Sequence, residues 1–587
     1  MTNNTEQHHR TSRKRRLQRT AAICSLAGSA LFLLLGGPDA SGNTGTSPSR
    51  SLSSSSSNPT SNNRPNILFL LLDQWRFDWD GHHPQTPTGP LPLRVPFLTE
   101  MGRRGTRFTQ AYVPSPFCAP SRACVASGKE IDEVGVVTNH VNTFPTDTTT
   151  IYKLLRDEGG YHVMSAGKDD LFQGDSKFPF VPIDYEDTMD LGFSDAIRTA
   201  GKVKITRNLN SRSDKDDRRL DEPYRLFLEG TTTRMRNGTD INARQAYIAC
   251  VQGLGPEGGC DSSSFNEDVY PDKFVRDVAI DLLDRKNHVG SGSDGQPWFL
   301  QVNFPGPHHP IMSTAKMAKS VMDRTWPPPV DMDDADHWTV SCPQQQLGPD
   351  DVDDVGPQVG GRCNYGAEIE YIDQLMQDIV NKVKEMGEMG NTIIVVAGDH
   401  GDDLSDHGST GKGKPWHGSV SVPLFVSGPG IRSDAVFDGP VTTLDLGGTF
   451  LDFANVDELA PGMTTASLRS ILEQEGGSIT ETEEETRHGI SRSRPHVSSG
   501  YGTWRMVVKE MPTSSSDPTM TSYKLICCKA EQCPAAPRTA TPYVEGEPWH
   551  ILLYDAIQDP FDMEPLDVKR PDLIQELLPL LPEGWCR

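Results

Sequence analysis

The sequence predicts an α/β protein: a large mixed, mostly parallel sheet flanked by helices, followed by a smaller C-terminal α+β subdomain. Three observations carry that prediction. The runs Asn66–Leu72 (NILFLLL), Trp298–Phe304 (WFLQVNF) and Asn391–Ala397 (NTIIVVA) are apolar with little alternation, as strands buried on both faces of a parallel sheet must be. Stretches with helical spacing separate them. From about residue 491 the pattern changes to short strand-like segments and one terminal helix. A chain of 587 residues, 35% hydrophobic and 7% aromatic, is long enough for one such core and an appendage.

Taken in order, residues 1–40 hold a basic stretch (Arg10, Arg13, Lys14, Arg15, Arg16, Arg19) and then an apolar run, Ala21–Leu35. That is the pattern of a secretory signal. The run is shorter than the ~20 residues that span a bilayer, and an uncleaved anchor with its basic end in the cytosol is the alternative. Residues 41–63 form a Ser-rich linker that needs no fold. The main domain is expected over 64–490 and the subdomain over 491–587. Asn66–Leu72 is the first strand, with Asp73-Gln74 at its end, where open α/β sheets place ligand-binding groups; a helix N-cap is the plainer role for Asp73. Pro96–Arg107 is expected to be a helix, and Phe108–Val113 a strand leading to Ser115–Lys129 (SPFCAPSRACVASGK). Pro120 and Ser121 suit a first helical turn, whose N–H groups favour an anion, and Arg122 adds a cationic fork. A reactive Cys118 and a structural one stand level on this segment alone. Thr148–Glu158 is an amphipathic helix stopped by Gly159-Gly160. Tyr161–Ala166 is a strand delivering Gly167-Lys168-Asp169-Asp170. Residues 202–290, polar and Gly-rich at the start, are expected to form an irregular surface insertion. Trp298–Phe304 delivers His308 and His309 between prolines. Tyr365–Met386 is a long helix with Ile369, Ile372, Met376, Ile379 and Val383 on its apolar stripe. Asn391–Ala397 ends in Gly398-Asp399-His400, the loop beyond carries Lys412 and Lys414, and Val422–Val426 is the next strand. Trp504–Glu510, Tyr523–Cys528 and His550–Asp555 are short strands, and Asp572–Leu581 a helix.

Charge and cysteine content bound the function. A net charge of −24 argues against general binding of nucleic acid, whose phosphates it would repel. Eleven cysteines suit an oxidising compartment. The local pairs open to them are Cys250 with Cys260, Cys342 with Cys363, and Cys527 or Cys528 with Cys533; a zinc site at the last three is poorly spaced. Asn237-Gly238-Thr239 is a glycosylation sequon. Cys124 fits a small buried residue, and His417 a loop position.

Polar groups thus stand at four strand ends (Asp73-Gln74, Lys168, His308, Asp399-His400) with the Cys118 turn as a fifth element. The motifs NILFLLLDQ, CAPSRACVASGK, Gly167-Lys168, PHHP at 307–310, GDHGDDLSDHG at 398–408, VPLFVSGPGI at 422–431 and LYDAIQDPFDMEPL at 553–566 together resemble the sulfatase family of the alkaline-phosphatase-like superfamily, from about Arg64 to the C-terminus. The resemblance implies a sulfate-ester hydrolase, with sulfated carbohydrate or aryl sulfate as substrate. It implies that Cys118 is converted to formylglycine (3-oxoalanine) by the formylglycine-generating enzyme. It further implies that Asp73, Gln74, Asp399 and His400, with the modified Cys118, hold one divalent metal, Ca2+ first and Mn2+ or Mg2+ as alternatives. Arg122 would hold the hydrated aldehyde, while Lys168, His308 and Lys412 would neutralise sulfate and assist protonation of the leaving group. The family spacing selects His308 over His309. One departure stands out: Asp170 occupies the place of a family histidine, either as a substitute base or as a contact to substrate. Rival readings are a phosphonate or phosphate ester hydrolase on the same fold, which the Asp73–Arg76 run favours, and an inactive glycan-binding scaffold. The expected setting is the secretory pathway, extracellular or lysosomal; a membrane enters only if the leader is uncleaved, and oligomeric state is unreadable.

Overall fold

The computed structural model describes residues 64–586 apart from 83–90, 140–143, 146, 172–188, 211–221, 235–238, 253–264, 287–294, 322, 331–339, 342–356, 457, 474–485, 488–489, 492–493, 514–518, 531–532 and 534–547. The expected leader, linker and sequon lie outside the described residues. No helix among the described residues is long and apolar enough to cross a membrane.

The main sheet is built from β1 (Asn66–Asp73), β2 (Gly105–Tyr112), β3 (His162–Gly167), β4 (Asp195–Arg198), β5 (Trp298–Pro307), β6 (Thr392–Gly398), β7 (Ser421–Ser427) and β8 (Ala435–Thr442). Their order across the sheet is β8-β2-β7-β6-β1-β5-β3-β4. The four central strands β6, β1, β5 and β3 are adjacent and mutually parallel, so their carboxyl ends emerge along one edge. Register places Leu72 opposite Gly398, Asp73 opposite Pro307, and Gly167 opposite Asn303. β7 runs antiparallel to β6 and β2, which makes the sheet mixed, as expected.

Both faces are buried because successive strand residues point to opposite sides. Leu68, Leu70 and Leu72 of β1 belong to one core, together with Ile372, Met376 and Ile379 of the long helix. Ile67, Phe69 and Leu71 belong to the other, with Ala123, Leu155 and Phe450. The helices supplying that second face are α2 (Cys118–Ser127), α3 (Ile151–Asp157) and α9 (Asp445–Phe453). α3 begins where the Thr150 hydroxyl accepts from the Lys153 N–H, 3.1 Å.

Two expectations are corrected. The first helix, α1, spans Pro96–Arg104 and stops three residues early. Gly105 opens β2, where an added Cβ would lie 2.1 Å from the Val426 carbonyl, so pairing with β7 takes this backbone out of the helix. Among its described residues the expected irregular insertion is largely helical: α4 (Gly201–Asn210), α5 (Pro223–Gly230), α6 (Ala243–Gln252) and α7 (Pro271–Lys286). Tyr224, Phe227, Tyr247, Phe265 and Phe274 are buried and join the main core. α8 (Pro357–Glu385) is the expected long helix.

The C-terminal part is a four-stranded antiparallel sheet, β9 (Val497–Tyr501), β10 (Trp504–Pro512), β11 (Met520–Lys529) and β12 (Trp549–Asp555). Trp504, Met506, Ile526 and Leu552 face Tyr112, Trp416 and Val420 of the main domain. Val507, Leu525 and Leu553 face α10 (Pro571–Leu577). Cys528 pairs with Cys533, and Cys527 reaches Cys586 near the C-terminus, a bond between residues too distant for local spacing to suggest. Cys250 and Cys363 are disulfide-bonded; Cys260 and Cys342 lie outside the described residues.

Candidate active site

The four parallel strand ends and the start of α2 converge on one buried point. Asp73 closes β1, Lys168 follows β3, His308 follows β5, and Asp399-His400 follow β6. Cys118 opens α2 directly beneath them. Its Sγ lies 3.2 Å from His400 Nε2, 3.5 Å from Asp73 Oδ1 and 2.7 Å from Lys412 Nζ, and it also contacts the His308 side chain. Asp73, Cys118, Asp399 and His400 are all buried, and one ligand atom from each lies within 4.8 Å of all the others. Two carboxylates, an imidazole and a sulfur position around one point suit a divalent cation with mainly oxygen donors.

Cationic side chains surround this cluster. Lys168 Nζ pairs with Asp73 and stands 2.9 Å from Asp170 Oδ2. Lys412 Nζ is 3.1 Å from His400 Nε2. Arg122 ties three strand ends together: Nε to Asp399 Oδ2 at 2.8 Å, and Nη1 to the Lys168 carbonyl at 2.5 Å and to Asn303 Oδ1 at 3.0 Å. Burial and the Asp73 carboxylate push the Cys118 thiol up, but Lys168, Lys412 and His400 outweigh them and hold it well below a free thiol. The site therefore stabilises negative charge at residue 118.

The helix start itself does not provide the expected anion pocket. The Ala119 N–H donates to Asn139 Oδ1 at 2.9 Å, Pro120 has none, and the Ser121 N–H goes to the Phe117 carbonyl. Ser121 Oγ donates to the Asp399 carbonyl at 2.6 Å. The anion-stabilising face is made by Lys168, Lys412 and Arg122. Asp73 is an ion-pair partner in the site and not an N-cap.

Gln74 has φ +66°, a left-handed conformation costly for a side-chain-bearing residue. Its N–H donates to Asp399 Oδ1 at 2.9 Å and its carbonyl accepts from Tyr365 Oη at 2.6 Å, which holds it there. Its amide nitrogen donates to Asp402, leaving the amide oxygen as the atom that could serve a cation. His309 sits apart from Cys118, half exposed, with Nε2 3.4 Å from Asp402 Oδ2. His417 is buried, not a loop residue, and meets Tyr112, Asp562 and Lys524. Cys124 is a free, buried thiol.

Both oxygens of Asp170 face ammonium groups, Lys168 and Lys204. Burial would raise its carboxyl, but Lys168 and Lys204 hold it far below the usual range, so it is a weak proton acceptor in this arrangement. The residues that sequence reasoning passed over are Asn303, Lys204, Asp402 and Tyr365. Asn303 alone carried a signal, as a polar residue inside a buried strand.

A family model described as Sulfatase matches residues 65–456. An arylsulfatase of Clostridium perfringens is 24% identical over 428 residues, covering 70% of this chain and 79% of its own length. Among solved structures, a protein bound to its substrate D-glucosamine-2-N,6-O-disulfate superposes with TM-score 0.57 at 18% identity, covering 88% of this chain and 97% of that one. A phosphonate monoester hydrolase from Silicibacter pomeroyi gives TM-score 0.56 at 18% identity, covering 88% and 93%.

Proposed function

The chain belongs to the sulfatase family and is a sulfuric ester hydrolase, and we propose that it cleaves a sulfated carbohydrate or aryl sulfate using formylglycine made from Cys118. The observation that carries this reading is the convergence of Asp73, Cys118, Asp399 and His400 beneath three cationic side chains. As an aldehyde hydrate, residue 118 would offer one hydroxyl to sulfur and keep the second for expelling sulfate, which a thiol cannot do. A divalent cation, Ca2+ before Mn2+ or Mg2+, held by Asp73, Gln74, Asp399 and His400, would supply Lewis acidity toward the sulfate oxygens. Lys168 and Lys412 neutralise the sulfate, and Arg122 fixes Asp399 and the Lys168 backbone so that these charges stay in place. His308, in contact with residue 118, is the group placed to carry a proton to the leaving alcohol.

The carbohydrate part of the proposal draws on the glucosamine disulfate named for one structural relative. The reading also assigns the chain to the secretory pathway, extracellular or lysosomal, where the formylglycine-generating enzyme would act on it. The disulfides Cys527–Cys586 and Cys528–Cys533 support an oxidising compartment. A second reading, phosphonate or phosphate ester hydrolysis, is favoured by the Asp73–Arg76 run (Asp-Gln-Trp-Arg) and by the phosphonate hydrolase relative. Every position of the cluster bears a group fit for chemistry, which favours turnover over a glycan-binding scaffold.

The deciding experiment is mass spectrometry of the Cys118 peptide from a eukaryotic host, with rates on aryl sulfate and aryl phosphonate esters measured side by side. The expected peptide is lighter by the change from CH2SH to CHO, and sulfate turnover is faster. A wholly unmodified thiol without sulfate turnover would refute the formylglycine mechanism, and faster phosphonate turnover would favour the second reading.

A further inference from the structure

Asp170 replaces a histidine expected from the family, yet its surroundings give it a different task. Its side chain is 4% exposed, with Oδ2 2.9 Å from Lys168 Nζ and Oδ1 2.9 Å from Lys204 Nζ. Lys168 in turn pairs with Asp73 at the reacting centre. These four residues form one row of alternating charge, Asp73–Lys168–Asp170–Lys204, running from the nucleophile to the first turns of α4.

α4 is fixed so that it can complete the row. Gly201, at φ +72°, begins the helix against the Lys168 stem, where an added Cβ would meet Lys168 Cδ at 2.6 Å. Lys202 is fully buried and pairs with Glu368 of α8 at 2.6 Å. Glu368 also accepts from Tyr270 Oη at 2.5 Å and from the Met312 N–H at 2.6 Å. Residues two apart on a helix do not face the same way, so anchoring Lys202 on α8 turns Lys204 toward Asp170.

Resting on the sulfatase reading, we propose that Lys204 is a positioning residue for sulfate binding, acting through Asp170 on Lys168. Lys168 with its two carboxylates carries a net charge of −1, which offsets part of the positive charge that Arg122 and Lys412 add beside it. Lys204 brings the row to zero and releases Lys168 from sole service to Asp170. Its ammonium also fixes Asp170, and through it the direction of the Lys168 head. The effect belongs to anion binding more than to the chemical step, because Lys204 acts through Asp170 on the sulfate-neutralising lysine and not on His308.

The test compares wild type with Lys204→Met, Lys204→Arg and the double variant Asp170→Asn/Lys204→Met. Affinity for inorganic sulfate is read by calorimetry, and KM and kcat are read on an aryl sulfate. Lys204→Met should weaken sulfate binding and raise KM by about tenfold with kcat changed by less than about threefold. Lys204→Arg, keeping the charge, should stay close to wild type. The double variant should recover most of the lost sulfate affinity, since no carboxylate is left uncompensated; a merely structural lysine would show no such recovery. Unchanged sulfate affinity in Lys204→Met, or a double variant no better than Lys204→Met, overturns the proposal. Sulfate affinity is read without turnover, so an unmodified Cys118 in wild type would sink the formylglycine mechanism and leave this comparison decisive.

Discussion

At the scale of single residues, the two adjacent histidines separate by their contacts. His308 touches Cys118, whereas His309 faces Asp402 and is half exposed. His308→Ala should therefore lower kcat/KM by about 100-fold or more, in the range of lost acid–base or electrostatic assistance, while His309→Ala should cost less than about fivefold under the same steady-state assay. Equal losses would show that the loop acts as one unit. Arg122 makes a second residue-scale case. Its guanidinium binds Asp399, the Lys168 carbonyl and Asn303 at once, a planar fork that an ammonium cannot reproduce. Arg122→Lys should reduce kcat about 100-fold and lower the melting temperature, because Asp399 stays buried with a poorer partner; a variant with native kcat would remove Arg122 from the site's machinery. Most of these residues were legible in the sequence because each stands directly after an apolar strand, in a short motif whose residue types already suggest chemistry. Lys204 was not legible. Its partner Asp170 is 34 residues away, and nothing in a Lys-rich helix start tells which lysine meets a carboxylate.

At the scale of elements, the turn between β9 and β10 reaches from the C-terminal sheet into the catalytic end of the main sheet. Tyr501 stacks on Phe117, the residue before Cys118, with ring centroids 4.5 Å apart and planes 7° off parallel. Trp504 Nε1 donates to the Gly413 carbonyl at 2.9 Å, one residue from Lys412. The Gly500 N–H donates to the Pro114 carbonyl at 3.1 Å. Lys412 Nζ in turn lies 5.4 Å from the Phe117 ring centroid. One hairpin turn thus holds both the chain leading into the Cys118 helix and the loop carrying Lys412. Tyr501→Ala should lower kcat/KM about tenfold, as expected when a stacked ring of modest worth also sets catalytic geometry, with little loss of melting temperature. A drop in melting temperature without a kinetic effect would make the contact structural only. The strands of the C-terminal sheet were readable from their alternating pattern, except β9, whose five residues (VSSGY) carry almost no apolar signal. The same reason hid α4 to α6: their apolar anchors are sparse, and Tyr224, Phe227 and Tyr247 are scattered through polar sequence that resembles a loop until their partners in the core are known. Strand order was equally hidden, since apolar runs declare strands but not their neighbours.

At the scale of the molecule, buried carboxyls set how stability responds to pH. Burial pushes Glu222, Asp272 and Asp373 each up to about 7, from ordinary values of 4.5, 3.8 and 3.8. Asp272 is the most telling: it lies under the loop that carries His308, accepts from the Gly306 N–H at 2.8 Å, and faces both Lys202, which lowers its pKa, and Glu368, which raises it. A group whose folded pKa is raised binds its proton more tightly when folded. Its contribution is complete below the unfolded pKa, near 4, and is lost as pH climbs through 7. Asp562 works in the opposite sense. Burial would raise it, but Lys524 and His417 hold it below the usual carboxylate range, so its contribution is present at neutral pH and falls away only in stronger acid. The two tendencies leave a stability maximum at a pH of about 4, near the unfolded carboxyl value, since the raised groups lose their contribution above it and the depressed one below it. Thermal unfolding followed from a pH of about 2 to about 8 should show this maximum, and Asp272→Asn should flatten the decline between a pH of about 4 and about 7, because an amide has no proton to lose there. A melting temperature that keeps rising to pH 8 in wild type would mean that these carboxyls are ionised in the fold. A maximum in acid would agree with a lysosomal setting, and would tie Glu222 and Asp272 of the helical insertion to the working conditions of the enzyme.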